Sequence, residues 1–201
     1  MIKTSSSPLY GLILAGGKAS RMQGNDKGLL KACGKMLVEY TIDTLGPQTD
    51  QLMISANRHL DEYRTLGYPV ISDSFGEYAG PLAGILSALE HIHEEALLMV
   101  APCDMPELPT DLVQRLVAQL NNESAELCCV KTEDRLQPLV AVMQTSVHEL
   151  LKAYLQSDRH KVHDWLNSLN YTTVNYNDQE TAFVNINTQE ELSQFEQRIA
   201  I

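Results

Sequence analysis

The chain has 201 residues, 44% of them hydrophobic, which is enough to bury one sizeable core and suits a single α/β domain. A formal net charge of −11 and a pI near 4.9 exclude a nucleic-acid-binding face, because contact with a phosphate backbone needs a basic surface. The apolar runs fall far short of the roughly 20 residues of a membrane helix, and Cys33, Cys103, Cys128 and Cys129 form no Cys-x-x-Cys pair, so free thiols in the cytoplasm are the expectation.

Residues 1–8 carry Lys3 and several serines but no apolar segment, which predicts a flexible N-terminus ahead of one domain over residues 9–201. The apolar run 9–14 reads as a buried parallel strand that leads straight into Gly16-Gly17. Glycines there let backbone N–H groups converge on one point, as phosphate nests do, and Arg21 and Lys27 add cations to it. The loop by itself is equally an ordinary tight turn with solvated charges. Neither familiar phosphate motif fits. Gly34-Lys35 has Leu29 and Met36 where a P-loop needs its first glycine and its hydroxyl, and Gly16-Gly17 lacks the Gly-x-Gly-x-x-Gly spacing.

Leu37, Val38, Thr41, Ile42 and Leu45 recur at helical spacing up to the stop at Gly46-Pro47. Residues 51–56 read as a second strand with Asn57, Arg58 and His59 at its carboxyl end, and residues 69–71 as a third with Ser72 and Asp73 at its exit. Those are the ends at which open α/β sheets bind ligands. Gly80-Pro81 opens a helix through Ile85, Leu86, Leu89 and Ile92 that is expected to end near Glu94. The run 96–101 is the clearest strand, and it delivers Pro102, Cys103 and Asp104. Pro106 and Pro109 precede a helix over Leu112, Leu116 and Leu120. Strands alternating with helices predict a mostly parallel sheet in a three-layer α/β/α domain.

Residues 127–130 and 139–143 read as strands of a hairpin joined by a polar turn over 132–137. A helix through Val147, Leu150, Leu151 and Leu155 leads to the basic cluster Arg159, His160 and Lys161. Strands are expected at 171–174 and 183–187, and a last helix starts at Thr188, where Glu191 completes a capping box.

Asp104, at the end of an apolar strand, is either a turn former or a ligand for a hard cation such as Mg²⁺. Asp73 has the same two readings, and Asp26 is placed to orient Lys27 by pairing with it. His91 and His93 point to different helix faces; His160 and His163 can share one, but without a third ligand they read as surface or anion contacts. Cys103 reads as a buried thiol rather than a nucleophile, and Ser20 lacks a Gly-x-Ser-x-Gly context. Arg159 and Lys161 are solvated charges or anion contacts, and Asn185 and Asn187 can serve simply to shape a turn.

Leu14-Ala15-Gly16-Gly17, Arg21-Met22 and Asp26-Lys27 resemble the motif of nucleotidyltransferases that move a nucleoside monophosphate from an NTP. Lys27-Gly28-Leu29-Leu30, Gly80-Pro81-Leu82-Ala83-Gly84, Pro102-Cys103-Asp104-Met105-Pro106 and Asn185-Ile186-Asn187-Thr188 narrow the resemblance to the molybdenum cofactor guanylyltransferases. It runs from Gly11 to about Leu192 with the segments in the family's order. The resemblance implies a Rossmann-like nucleotidyltransferase fold and transfer of GMP from GTP to the terminal phosphate of molybdenum-bound molybdopterin, with release of pyrophosphate. It implies nucleotide binding by Leu14, Ala15, Gly16, Gly17, Arg21, Lys27, Ser55, Asp73 and Asp104, catalysis by Arg21, Lys27 and Asp104, and Mg²⁺ on Asp104. It assigns Gly80, Pro81, Gly84, Arg159, Lys161, Asn185 and Asn187 to molybdopterin, and molybdopterin-delivery proteins and molybdoenzyme chaperones as partners. Ser55 replaces an asparagine of the family pattern and Gln23 a glycine of the loop. A cytidylyltransferase for the same cofactor and a nonenzymatic GTP- and molybdopterin-binding adaptor are the competing readings.

Overall fold

The computed structural model describes residues 7–16, 26–75, 80–133 and 135–199. In its first half, β1 (Leu9–Leu14) is followed by a two-residue hairpin, β2 (Lys31–Ala32) and β3 (Lys35–Met36), and by helix α1 (Leu37–Leu45). Then come β4 (Gln51–Ser55), the short helix α2 (Leu60–Arg64), β5 (Val70–Ile71), α3 (Pro81–His91) and β6 (Leu97–Pro102). The second half contains α4 (Leu112–Asn122), β7 (Leu127–Thr132), β8 (Arg135–Gln144), α5 (His148–Gln156), α6 (Val162–Leu166), β9 (Tyr171–Asn175) and α7 (Gln189–Ile199).

Seven strands form one sheet in the order β5-β4-β1-β6-β8-β7-β9, in which β8 alone runs antiparallel to its neighbours. The parallel strands are apolar on both faces because helices cover both. In β1, Leu12 and Leu14 pack on one face with α3, α5 and α6, while Ile13 packs on the other with α1, Tyr63 of α2, and α4. This is the expected three-layer α/β/α domain, mostly parallel. A satellite cluster of Ala32, Leu37, Ile186, Leu192 and Phe195 docks α7 onto the β2–β3 hairpin.

Several elements depart from expectation. The β7–β8 hairpin is tighter and longer than the turn 132–137 suggested, with Glu133 at φ +40° in the turn. Pro138 sits where the ladder skips from the Cys129–Ala141 pair to Val130–Gln137, since proline has no N–H to offer it. The α3 helix stops at His91 rather than near Glu94. Residues 183–187 are not a strand: a 3-10 turn, Glu180–Phe183, gives way to irregular chain. The short elements α2, α6 and β2–β3 have too few residues to show a period. Of the terminal stretch 1–8, residues 1–6 lie outside the described residues, and the Pro8 carbonyl already accepts the Leu97 N–H. Among the described residues no helix is long and apolar enough to cross a membrane.

Candidate active site

Strand register builds the site. Leu14 at the end of β1 pairs with Ser55 of β4 on one side and with Pro102 of β6 on the other, and Ser55 pairs with Ile71 of β5. Four carboxyl ends therefore share one rim, from which Ala15-Gly16, Asn57, Asp73 and Cys103-Asp104 emerge together. The chain builds outward from β1 to β4 and β5, then crosses back to β6, so the β1–β6 pair is the topological switch point of the sheet.

Asp104 is buried at that point, 8% exposed. Lys27, carried on the 3-10 turn Lys27–Leu29, donates from Nζ to Asp104 Oδ2 at 3.1 Å and to Asn187 Oδ1 at 2.5 Å. Asn185 Nδ2 donates to the other Asp104 oxygen, Oδ1, at 2.6 Å, and Asn187 Nδ2 donates to the Asn185 carbonyl at 3.1 Å. The Ile186 N–H donates to the Asp104 carbonyl at 2.8 Å, so the segment expected as a strand crosses the rim on one backbone bond and presents both asparagines to the aspartate. The Asn187 N–H and the Thr188 N–H both reach Glu191 Oε2, and Glu191 N–H returns to Thr188 Oγ1, which is the expected capping box. Four residues from three distant stretches thus form one polar network. Gly17 and Arg21, the other expected members, lie outside the described residues.

Asp26 corrects an expectation. It does not pair with Lys27; its Oδ1 accepts the Gly28 N–H at 3.1 Å and the Tyr63 hydroxyl at 2.6 Å. Lys27 turns the other way, and its ammonium donates to Asp104 and Asn187 instead. Cys103 is buried as expected, and burial, then the nearby Asp104 and Asp26 carboxylates, push its thiol up.

On the nucleotide side, the Ala15 N–H donates to Ser55 C=O at 2.8 Å and the Leu14 carbonyl accepts the Cys103 N–H at 3.0 Å, so these main-chain groups of two expected nucleotide-binding residues already belong to the sheet. Ser55 is 3% exposed and faces α3: a Cβ on Gly84 would lie 2.5 Å from its Oγ. Gly84 is accordingly a close-packing residue, buried against β1 and β4. Asn57, noted in the sequence without a role, clamps Asp73: its Nδ2 donates to Asp73 Oδ2 at 2.7 Å and its Oδ1 accepts the Asp73 N–H at 2.9 Å. Burial pushes the Asp73 carboxyl up, against the lowering effect of the Asn57 and Ser55 side chains.

The α5 helix begins just beyond Gln144, which pairs with Leu97 at the amino end of β6, and it packs against α3, which ends shortly before Leu97. The two helices are antiparallel, so Gly80 and Pro81 at the start of α3 and residues 157–161 after α5 share the carboxyl rim. There Arg159 lies over the Tyr154 ring at 4.4 Å and donates to Ser157 Oγ at 2.9 Å, and the Tyr154 hydroxyl donates to the Lys161 carbonyl at 2.9 Å. His160 pairs with Asp158.

Residues 11–173 match the family model described as a MobA-like NTP transferase domain. The chain belongs to the MobA-like NTP transferases. It is similar to proteins named molybdenum cofactor guanylyltransferase. The protein from Shewanella woodyi is 41% identical over 189 residues, 94% of this chain and 96% of the relative, and that from Shewanella loihica is 40% identical over 195 residues, 97% and 99%. Among solved structures, molybdopterin-guanine dinucleotide biosynthesis protein A from Archaeoglobus fulgidus superimposes with a TM-score of 0.78 at 23% identity, covering 95% of this chain and 98% of that one. A 4-diphosphocytidyl-2C-methyl-D-erythritol synthase from Anaerococcus prevotii shares the fold with a TM-score of 0.72 at 11% identity, each chain covered to 97%. The MobA-like domain match stops short of Asn185 and Asn187, which the tertiary structure nevertheless places on Asp104 and Lys27.

Proposed function

We propose that this member of the family transfers GMP from GTP to the terminal phosphate of molybdenum-bound molybdopterin, releasing pyrophosphate and forming the guanine dinucleotide cofactor. The observation that carries the reading is the meeting of Lys27, Asp104, Asn185 and Asn187 at the β1–β6 switch point. A phosphate monoester is largely dianionic near neutral pH, so the attacking group needs no strong base. What the reaction needs is alignment with the α-phosphate and compensation of charge on the departing pyrophosphate.

Lys27 supplies a cation to the phosphates, released from Asp104 and Asn187 as they arrive. Asn185 holds Asp104 in one orientation from the side opposite Lys27. Asp73, clamped by Asn57 and with its Oδ1 buried and no hydrogen bond of good geometry among the described residues, offers an acceptor to a donor group of the nucleotide. On the acceptor side, the N-terminus of α3 at Gly80-Pro81 and the Arg159 and Lys161 side chains receive the pterin phosphate.

Asp104 would hold Mg²⁺. A lone carboxylate at a strand end fits that ion, which is commonly held by one or two carboxylates and completed by substrate phosphates and water, and no cluster of three acidic, histidine or cysteine ligands exists among the described residues to form a protein cage. The ion would compensate phosphate charge.

The test is pyrophosphate release from the purified protein with Mg²⁺, molybdenum-loaded molybdopterin and each of the four NTPs in turn. Release with GTP alone is expected. Release with CTP assigns a cytidylyltransferase, and silence with all four despite GTP binding assigns an adaptor.

A further inference from the structure

We infer that Tyr63 is a positioning residue for Lys27 and acts through Asp26; this rests on the reading of Lys27 as the cation that meets the nucleotide's phosphates. Tyr63 lies on α2, is fully buried, and donates its hydroxyl to Asp26 Oδ1 at 2.6 Å. The same oxygen accepts the Gly28 N–H at 3.1 Å, so one carboxylate is held from α2 and caps the turn that carries Lys27. Asp26 precedes Lys27 in the chain and Gly28 follows it, which fixes the backbone on both sides of the lysine.

The packing shows how closely the turn is held. A Cβ on Gly28 would lie 2.4 Å from the Tyr63 hydroxyl and 3.1 Å from Cys103 Sγ. The turn is therefore pressed between Tyr63 and the residue adjacent to Asp104, and the start of the lysine stem is registered against the carboxylate its ammonium meets. A lysine stem has four rotatable carbons, so its ammonium is only as well placed as the backbone from which it starts. As a core aromatic, position 63 needs only a ring. The buried hydroxyl needs a partner, and the partner it has is the residue before Lys27. Burial, followed by the nearby Cys103 and the bond to Asp26, pushes the Tyr63 hydroxyl up, so it stays protonated and remains a donor.

The experiment is calorimetric titration of GTP with Mg²⁺ into the wild type, Tyr63→Phe, Lys27→Gln and the double variant, with a melting temperature for each. Lys27→Gln is expected to weaken GTP about tenfold or more, and Tyr63→Phe roughly three- to tenfold. The double variant should bind no more weakly than Lys27→Gln alone, because without an ammonium there is nothing left to position. Asp26→Ala should behave like Tyr63→Phe, whereas Asp26→Asn, which keeps an oxygen for both donors, should bind like the wild type. An equal loss from Tyr63→Phe in both backgrounds makes it a purely structural residue and overturns the inference, as does unchanged binding by Tyr63→Phe or Asp26→Ala when Lys27→Gln binds weakly. Unchanged binding by Lys27→Gln instead removes the phosphate-cation reading itself.

Discussion

Asn185 donates to Asp104 across 81 residues of sequence, at 2.6 Å, and takes the carboxylate oxygen that Lys27 leaves free. The two partners hold the plane of the carboxylate from both sides, so either one alone leaves it free to rotate.

Asn185→Ala is therefore expected to lower kcat/KM for GTP by roughly 10- to 100-fold, the range for a hydrogen bond to a charged group, while the melting temperature moves by only a few degrees. Asn185→Asp should be worse, since it sets a second carboxylate against Asp104. Steady-state kinetics on the two variants check this, and an Asp variant as active as the wild type would count against the arrangement.

Asp104→Ala should cost turnover far more than folding: roughly 10²–10³ in kcat against a few degrees of melting temperature. Lys27, whose side chain is 26% exposed, can turn to water once its partner is gone. If Asp104 holds Mg²⁺, chelation should abolish wild-type activity and restored Mg²⁺ should recover it. A melting loss in proportion to the activity loss would make Asp104 structural instead.

Gly84→Ala is expected to destabilise by overpacking, because its Cβ would lie 2.5 Å from Ser55 Oγ and 3.1 Å from Leu14 Cδ2. About 1–3 kcal/mol is roughly 3–9 °C in a chain of this size. Adding Ser55→Ala removes the nearest atom but leaves Leu14 and the residue-55 Cβ, so about half of the loss should return. Differential scanning calorimetry on the single and double variants decides it.

Thiol chemistry separates the four cysteines. Cys33 is exposed; Cys103, Cys128 and Cys129 are buried. Burial, the larger cause, pushes Cys128 and Cys129 from an ordinary value of 9.0 up to about 12. A thiol reagent at pH 8 should therefore modify one cysteine in the native protein and four after denaturation. Because these folded thiols keep protons that the unfolded chain releases, the stability they contribute is complete below about pH 9 and declines as the pH rises from there toward about 12. Melting scans from pH 7 to 11 would detect the decline, and fast labelling of two or more cysteines in the native state would contradict the burial.

The strands were legible because their signal is local: runs such as 9–14 and 96–101 are apolar throughout, and a strand buried on both faces needs nothing else to be recognised. The stretch 183–187 misled for the same reason. Its alternation looks like a strand, but the Ile186 amide bonds the Asp104 carbonyl and the Asn187 amide bonds a side chain, Glu191, so no ladder forms, and the alternation places Asn185 and Asn187 over the rim with Ile186 in the α7 cluster. Asn57 was visible at a strand end, yet its partner Asp73 lies sixteen residues on in a different strand exit.

The sequence by itself determined the order of the longer strands and helices through α5, the glycine-rich exit from β1, and the identities of Lys27, Asp104, Asn185 and Asn187 as candidates, since each depends on residue type and near neighbours. Only the tertiary structure decided who touches whom. It sent Lys27 to Asp104 rather than to Asp26, gave Asp26 to Tyr63, and made Gly84 a packing residue beneath Ser55. The physical reason is that a side chain's partner is chosen by which buried polar groups must be satisfied at the place where distant strand ends come together, and parallel register brings those ends together from across the whole chain.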